Sequence, residues 1–222
     1  MKATVEKIQQ AVGVKVDGVF GPMTLAAVAQ RLDVAMTLRV VQHRVGATVD
    51  GIFGPDTARK ILVAVGGGWP SQADVRSGKS IFGKAGDESN LVSITPPYTL
   101  YYDRKPLRTI RVHKLIANEV LDALEEVLLE YGEERIHELG LDVYDGAYNY
   151  RPTASGKSLS MHAWGIALDF AASKNAYSTR KPHASLSKPE CEAWWRIWES
   201  HGAVSLGRER DYDWMHLQFA SL

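Results

Sequence analysis

Two stretches of this chain are copies of one another, and they fix what its first third can fold into. Ile8–Val28 reads IQQAVGVKVDGVFGPMTLAAV, and Val41–Ile61 reads VQHRVGATVDGIFGPDTARKI. The offset is a constant 33 residues without a gap, so that Gln9, Asp17, Gly18, Phe20, Pro22 and Thr24 recur as Gln42, Asp50, Gly51, Phe53, Pro55 and Thr57. In each copy the segment before Gly13 or Gly46 has a helical pattern, and the glycine suits a helix C-cap. Asp-Gly and Gly-Pro are turn signals. Pro22 and Pro55 then open a second helix at its first turn, where a missing N–H is harmless. Phe20 and Phe53 are expected to plug each two-helix unit. This gives a small all-α domain over residues 1–65.

Residues 66–80, GGGWPSQADVRSGKS, are rich in Gly and Ser and read as a linker. A second domain is expected over 81–222. Arg111–Tyr131 has apolar residues at helical spacing, among them Val112, Leu115, Ile116, Val120, Leu124 and Val127. Pro189–Ser200 reads as another helix, with Ser187 as its N-cap and Trp194, Trp195, Ile197 and Trp198 facing the core. Ala163–Phe170 and Trp214–Phe219 read as short strands. Helices and strands mix without regular βαβ alternation, so the second domain is assigned as α+β.

Lys plus Arg and Asp plus Glu both number 26. That balance gives no electrostatic case for nucleic acid or an anionic membrane surface. The single cysteine, Cys191, excludes a disulfide framework within the chain and reads as a buried free thiol. Met1–Gln10 has no apolar segment of the secretory type, and no run approaches the ~20 apolar residues of a membrane span. The chain is expected to be made in the cytoplasm, as a monomer with no membrane insertion.

Chemistry concentrates in two segments. In Ser160–Phe170, SMHAWGIALDF, a strand over Gly165–Phe170 would put Gly165, Ala167 and Asp169 on one face and Ile166, Leu168 and Phe170 on the other. A carboxylate then sits at the end of a row of very small side chains, an open shelf for a metal and a substrate. His162 lies seven residues before Asp169, and His216 in DYDWMHLQF can supply a third ligand. Two His and one carboxylate form a common catalytic zinc set with the fourth position left for water, although His and carboxylate also suit Mn or Fe. Asp213 is a candidate general base for that water. Strict alternation would put Asp213 and His216 on opposite faces, so the chain must bend between them or Asp213 must precede the strand. His43, His113, His137, His183 and His201 are read as structural, and Trp164 and Trp214 as wall or core.

Ser160, His162, Gly165, Ala167 and Asp169 fit SxHxxGxAxD, and Asp213 and His216 fit acidic-x-x-His. With Asn149-Tyr150-Arg151 these segments resemble the zinc D-alanyl-D-alanine carboxypeptidases and L-alanyl-D-glutamate endopeptidases. The DG-x-FGP-x-T repeats resemble peptidoglycan-binding domains of wall hydrolases, in which Phe20, Gly21, Pro22 and their copies would serve as scaffold. The resemblance implies a zinc DD-peptidase-like antiparallel sheet with flanking helices. It implies Zn²⁺ on His162, Asp169 and His216, Asp213 as base, Arg151 on substrate or oxyanion, and Ser160 on substrate. Asp213 stands where several members carry Glu, a shorter arm. The expected activity is stem-peptide cleavage between L-Ala and D-Glu by a phage endolysin that reaches the periplasmic wall through a holin. The other readings are a D-alanyl-D-alanine carboxypeptidase with the same site, a non-catalytic wall-binding protein, and a structural virion protein.

Overall fold

The computed structural model describes residues 1–65, 68–78 and 80–222. The chain divides into two compact units, Met1–Trp69 and Pro70–Leu222.

The first unit is built from α1 (Lys2–Val12), α2 (Pro22–Arg31), α3 (Leu38–Arg44) and α4 (Pro55–Ala64). Ile8, Val28, Val41, Ala58, Ile61 and Leu62 form its buried core. Pro22 and Pro55 do open their helices, and Gly13 caps α1 in the left-handed conformation at φ 72°. The repeated glutamines explain the repeated turn. Gln9 Oε1 accepts from the Asp17 and Gly18 amides, while its Nε2 donates to Asp17 Oδ1, the Val19 carbonyl and Thr24 Oγ1. Gln42 repeats four of these bonds, accepting from the Gly51 amide and donating to Asp50 Oδ1, the Ile52 carbonyl and Thr57 Oγ1. A buried amide is tolerated because it satisfies the turn's own backbone groups. Phe20 and Phe53 do not plug separate units. They stack on each other, with ring centroids 3.8 Å apart, and so join the two copies.

The second unit begins inside the expected linker. Ser71 and Asp74 form a capping box that starts α5 (Gln72–Arg76). Ser71 bridges to Ser221, and Gln72 N–H donates to the Ser221 carbonyl at 2.8 Å. Composition alone hid this, because the Gly and Ser of that stretch include a helix N-cap. Gly66, Gly67 and Lys79 lie outside the described residues.

Next come β1 (Leu91–Ile94), β2 (Leu100–Tyr102), β3 (Lys105–Leu107) and β4 (Ile110–His113), with β1 pairing β4 and β2 pairing β3, both antiparallel. The expected helix over Arg111–Tyr131 is therefore displaced. Its first residues belong to β4, and α6 runs Ala117–Leu139 through a non-helical Gly132 at φ 70°. Ile110 and Val112 satisfy a period of two as well as a helical stripe, and pairing with β1 decides for the strand.

A four-stranded antiparallel sheet carries the site. Its order is β5 (Tyr144–Gly146), β6 (Ala167–Phe170), β8 (His216–Gln218) and β7 (Val204–Ser205). α7 (Ala172–Asn175), α8 (Glu192–Ser200) and α9 (Leu206–Arg210) complete the unit. The expected helix at Pro189 splits into a 3₁₀ turn, Pro189–Cys191, and α8, so Ser187 is not its N-cap. Phe170 from β6 meets Trp194 and Trp198 of α8 at centroid distances of 5.0 and 5.9 Å. One sheet face is thus sealed by aromatic packing, which leaves the other for the polar residues of β6 and β8. Among the described residues no helix is long and apolar enough to cross a membrane. Cys191 is buried and free, and burial pushes its thiol up to about 11.

Candidate metal centre

His162 sits on a 3₁₀ turn, Met161–Trp164, between β5 and β6. Ser160 is the N-cap of that turn, its Oγ accepting from the His162 amide. Gly165 ends it in the left-handed region at φ 67°, where a Cβ would lie 2.5 Å from Leu91 Cδ2. Gly165 is therefore a turn residue demanded by backbone and space, and the strand that was expected from Gly165 begins at Ala167. Asp169 and His216 are direct cross-strand partners of β6 and β8, so both side chains leave the same face of the sheet.

The three side chains converge and are all buried. His162 Nε2 lies 3.1 Å from Asp169 Oδ2, and His216 Nδ1 lies 3.0 Å from Asp169 Oδ1. The two ring nitrogens are 3.2 Å apart. Their outer nitrogens fix the proton positions. His162 Nδ1 faces the Ala147 carbonyl at 2.7 Å, and His216 Nε2 faces Gln218 Oε1 at 3.2 Å. Both partners only accept, so each outer nitrogen donates and each inner nitrogen presents a lone pair. Two lone pairs and a carboxylate then point at one spot, an arrangement that repels itself unless a cation or a proton lies between. The donor set thus fits a divalent metal, and the outer hydrogen bonds are of the kind that orient metal-binding imidazoles.

The charges agree with that geometry. Burial opposes ionisation of Asp169, but in the metal-free chain a proton held between the carboxylate and the imidazoles of His162 and His216 outweighs it and keeps the carboxyl well below the usual range. Burial also opposes a charged His216, yet Asp169 raises its affinity for a proton above the ordinary imidazole value.

Asp213 precedes β8 at φ 54°, and its carbonyl accepts from the His216 amide at 3.0 Å. That left-handed turn resolves the face conflict in the sequence. Its carboxyl is buried, and among the described residues Oδ1 has no hydrogen-bond partner. Burial raises its proton affinity, with His216 and Arg151 pulling the other way and Asp169 adding to the rise. Arg151 is half-buried. Its carbonyl accepts from the Ser160 amide, and its guanidinium has no carboxylate partner among the described residues.

Two cavities meet at the centre. One, of about 380 Å³, is lined by Tyr102, Arg111, Tyr148, Arg151, His162 and Asp169. The other, of about 340 Å³, is lined by Arg151, Ser160, Asp169, Asp213 and His216. Each residue singled out in the sequence for chemistry lines one of these cavities, and Arg151 and Asp169 line both.

Three of the remaining histidines have other partners. His113 is buried against the Phe82 carbonyl, His137 pairs with Asp142 at 2.6 Å, and His201 lies between Glu119 and Glu126. Trp164 and Trp214 are buried and donate to the Gly83 carbonyl and to Asp211.

The sequence reading missed Gln218 and Gln72. Gln72 Nε2 donates to Gln218 Oε1 at 3.0 Å, and Gln218 Nε2 donates to the Ala220 carbonyl, so the amide that holds His216 is itself held. Gln218 could have been found, since it is two residues past His216 on one strand. Gln72 is 146 residues away in the chain. Substituting Gln218→Ala is expected to weaken metal binding about 10- to 100-fold, as loss of an outer partner does elsewhere. A competition titration with a chromophoric chelator reads this directly.

A family model described as D-alanyl-D-alanine carboxypeptidase matches residues 153–219, which hold Ser160, His162, Asp169, Asp213 and His216. Arg151 lies just outside the match. Searches of curated proteins and of solved structures find no significant match to the chain. The family match supports a metallopeptidase of the zinc-dependent, peptidoglycan-acting kind, and the His162, Asp169 and His216 group is able to bind a metal ion.

Proposed function

We propose that this chain is a zinc endopeptidase that cleaves the peptidoglycan stem peptide between L-Ala and D-Glu, acting as a phage endolysin. The observation that carries the endopeptidase reading is the pair of cavities flanking the metal centre. An endopeptidase must hold chain on both sides of the scissile bond. A carboxypeptidase needs room for only one terminal residue on the leaving side. The repeated unit at residues 1–65 is the wall-binding domain in this reading, and the catalytic domain follows it.

His162, Asp169 and His216 would hold the zinc ion. When bound, zinc polarises the scissile carbonyl and acidifies a water molecule. Asp213 takes the proton of the attacking water and hands it to the leaving amine. Its raised proton affinity lies in the direction that suits a base which must then act as an acid. Arg151, without a carboxylate partner among the described residues and lining both cavities, stabilises charge developing on the carbonyl oxygen. Ser160 fixes the turn that aims His162 and lines the leaving side.

Digestion of purified Gram-negative-type peptidoglycan, read by mass spectrometry, tests this. New N-terminal D-Glu on the stem is the expected product. Free D-Ala as sole product would replace the proposal with a carboxypeptidase. Wall binding without any product would leave a wall-binding protein.

A further inference from the structure

We propose that Arg76 is the carboxylate anchor of the cavity on the Asp213 side, binding an α-carboxylate on the substrate residue that supplies the leaving amine. This rests on the peptidase reading and deepens it. Arg76 belongs to the stretch whose composition reads as linker and lies outside the matched segment 153–219.

The position of Arg76 is tied to the metal centre. Ser221 N–H donates to the Pro70 carbonyl, Gln72 N–H to the Ser221 carbonyl, and the Gln72 side chain to Gln218 beside His216. α5 is therefore fixed to the end of the strand that carries a metal ligand. Within α5, Arg76 Nε donates to the Leu159 carbonyl at 3.0 Å. That bond orients the guanidinium, and among the described residues neither terminal nitrogen has a hydrogen-bond partner. Among the described residues no carboxylate pairs with Arg76. The side chain is half-buried and lines the same cavity as Arg151, Asp213 and His216.

A half-buried guanidinium without a counter-ion is costly unless something anionic meets it. The cavity's own acids are committed elsewhere: Asp169 faces the two imidazoles, and Asp213 is the proton carrier. With a divalent cation bound, the cavity carries a cationic excess, so its ligand is an anion. The guanidinium fork matches a carboxylate through two parallel N–H···O bonds. Because Asp213 delivers its proton to the leaving amine, this is the leaving-group side. D-Glu joined through its γ-carboxyl retains a free α-carboxylate on the carbon bearing the scissile nitrogen. Amidation of that carboxylate would remove the charge that Arg76 reads.

Isothermal calorimetry on the full zinc-loaded chain tests this with a γ-D-glutamyl dipeptide and its α-carboxamide twin. Wild type should bind the carboxylate form about 10- to 100-fold more tightly, the range of a charged hydrogen-bond pair. Arg76→Gln should abolish the preference, and Arg76→Lys should keep part of it. In wall digestion, Arg76→Gln should raise KM while kcat stays within about threefold, the mark of a group that binds substrate and transition state alike. A preference that survives Arg76→Gln, or one absent from wild type, overturns the assignment. So does a fall in kcat at constant KM. The peptidase reading fails separately, if wild type cuts no wall while the binding preference holds.

Discussion

Replacing Asp213 with Asn is expected to lower kcat about 10²–10⁴-fold while leaving metal content unchanged. Asn keeps the volume of Asp and tolerates the left-handed backbone found here at φ 54°. The turn that hands the chain into β8 should therefore survive, together with the hydrogen bond from the His216 amide to the residue 213 carbonyl. What disappears is a proton acceptor whose Oδ1 is buried without a partner among the described residues, at the edge of the candidate metal centre. His162, Asp169 and His216 do not rely on the Asp213 side chain for any hydrogen bond, so zinc should stay at one equivalent. Steady-state cleavage of a soluble stem peptide, with metal content measured on the same sample, separates the effects. Activity within tenfold of wild type would remove Asp213 from the base role. Loss of metal with activity would make it a structural support instead.

The ease with which the site can be read from sequence follows from the distance over which each part is specified. His162 and Asp169 lie in one stretch, and the alternation of Leu168 and Phe170 with Asp169 is a local property of β6. The packing of Phe170 against Trp194 and Trp198 confirms which side is core. Asp213 and His216 were paired by motif but not by geometry, because a positive φ at a non-glycine residue leaves little trace in sequence. The glutamine support of His216 and the arrival of α5 at the cavity depend on contacts between the first and last residues of the second unit, to which periodicity is blind. The helix displaced from Arg111 to Ala117 has the opposite cause. A four-residue strand ending just before a helix can share its apolar spacing, and only the partner strand β1 decides between them. In the repeats, the conspicuous phenylalanines suggested two separate plugs. The less conspicuous Gln9 and Gln42 carry the turn geometry, because an amide can satisfy donors and acceptors together.

The second large effect is expected on removing a ligand. His162→Ala should bring peptidase activity to background and abolish tight zinc binding, since a carboxylate and one imidazole are left. Stability provides a readout independent of turnover. Zinc that binds only the folded chain stabilises it by about 4 kcal/mol at a thousandfold excess over Kd. For a unit of this size that is a rise in melting temperature of about 8–16 °C. Wild type should show the rise on zinc addition and lose it to a chelator, and His162→Ala should show neither. The gain also has a defined pH dependence. Asp169 is held low, so its pairing contributes stability above the ordinary carboxylate range and loses it as pH falls. His216 is held high, so its pairing with Asp169 stabilises the metal-free chain at lower pH and is lost as pH rises through the raised value. Zinc must displace that proton, so the zinc-induced rise should grow from mildly acid to mildly alkaline pH. Calorimetric scans across that range, with and without metal, measure it. An equal zinc-induced rise in His162→Ala, or a rise that shrinks with pH, would place the ion elsewhere than between these three side chains.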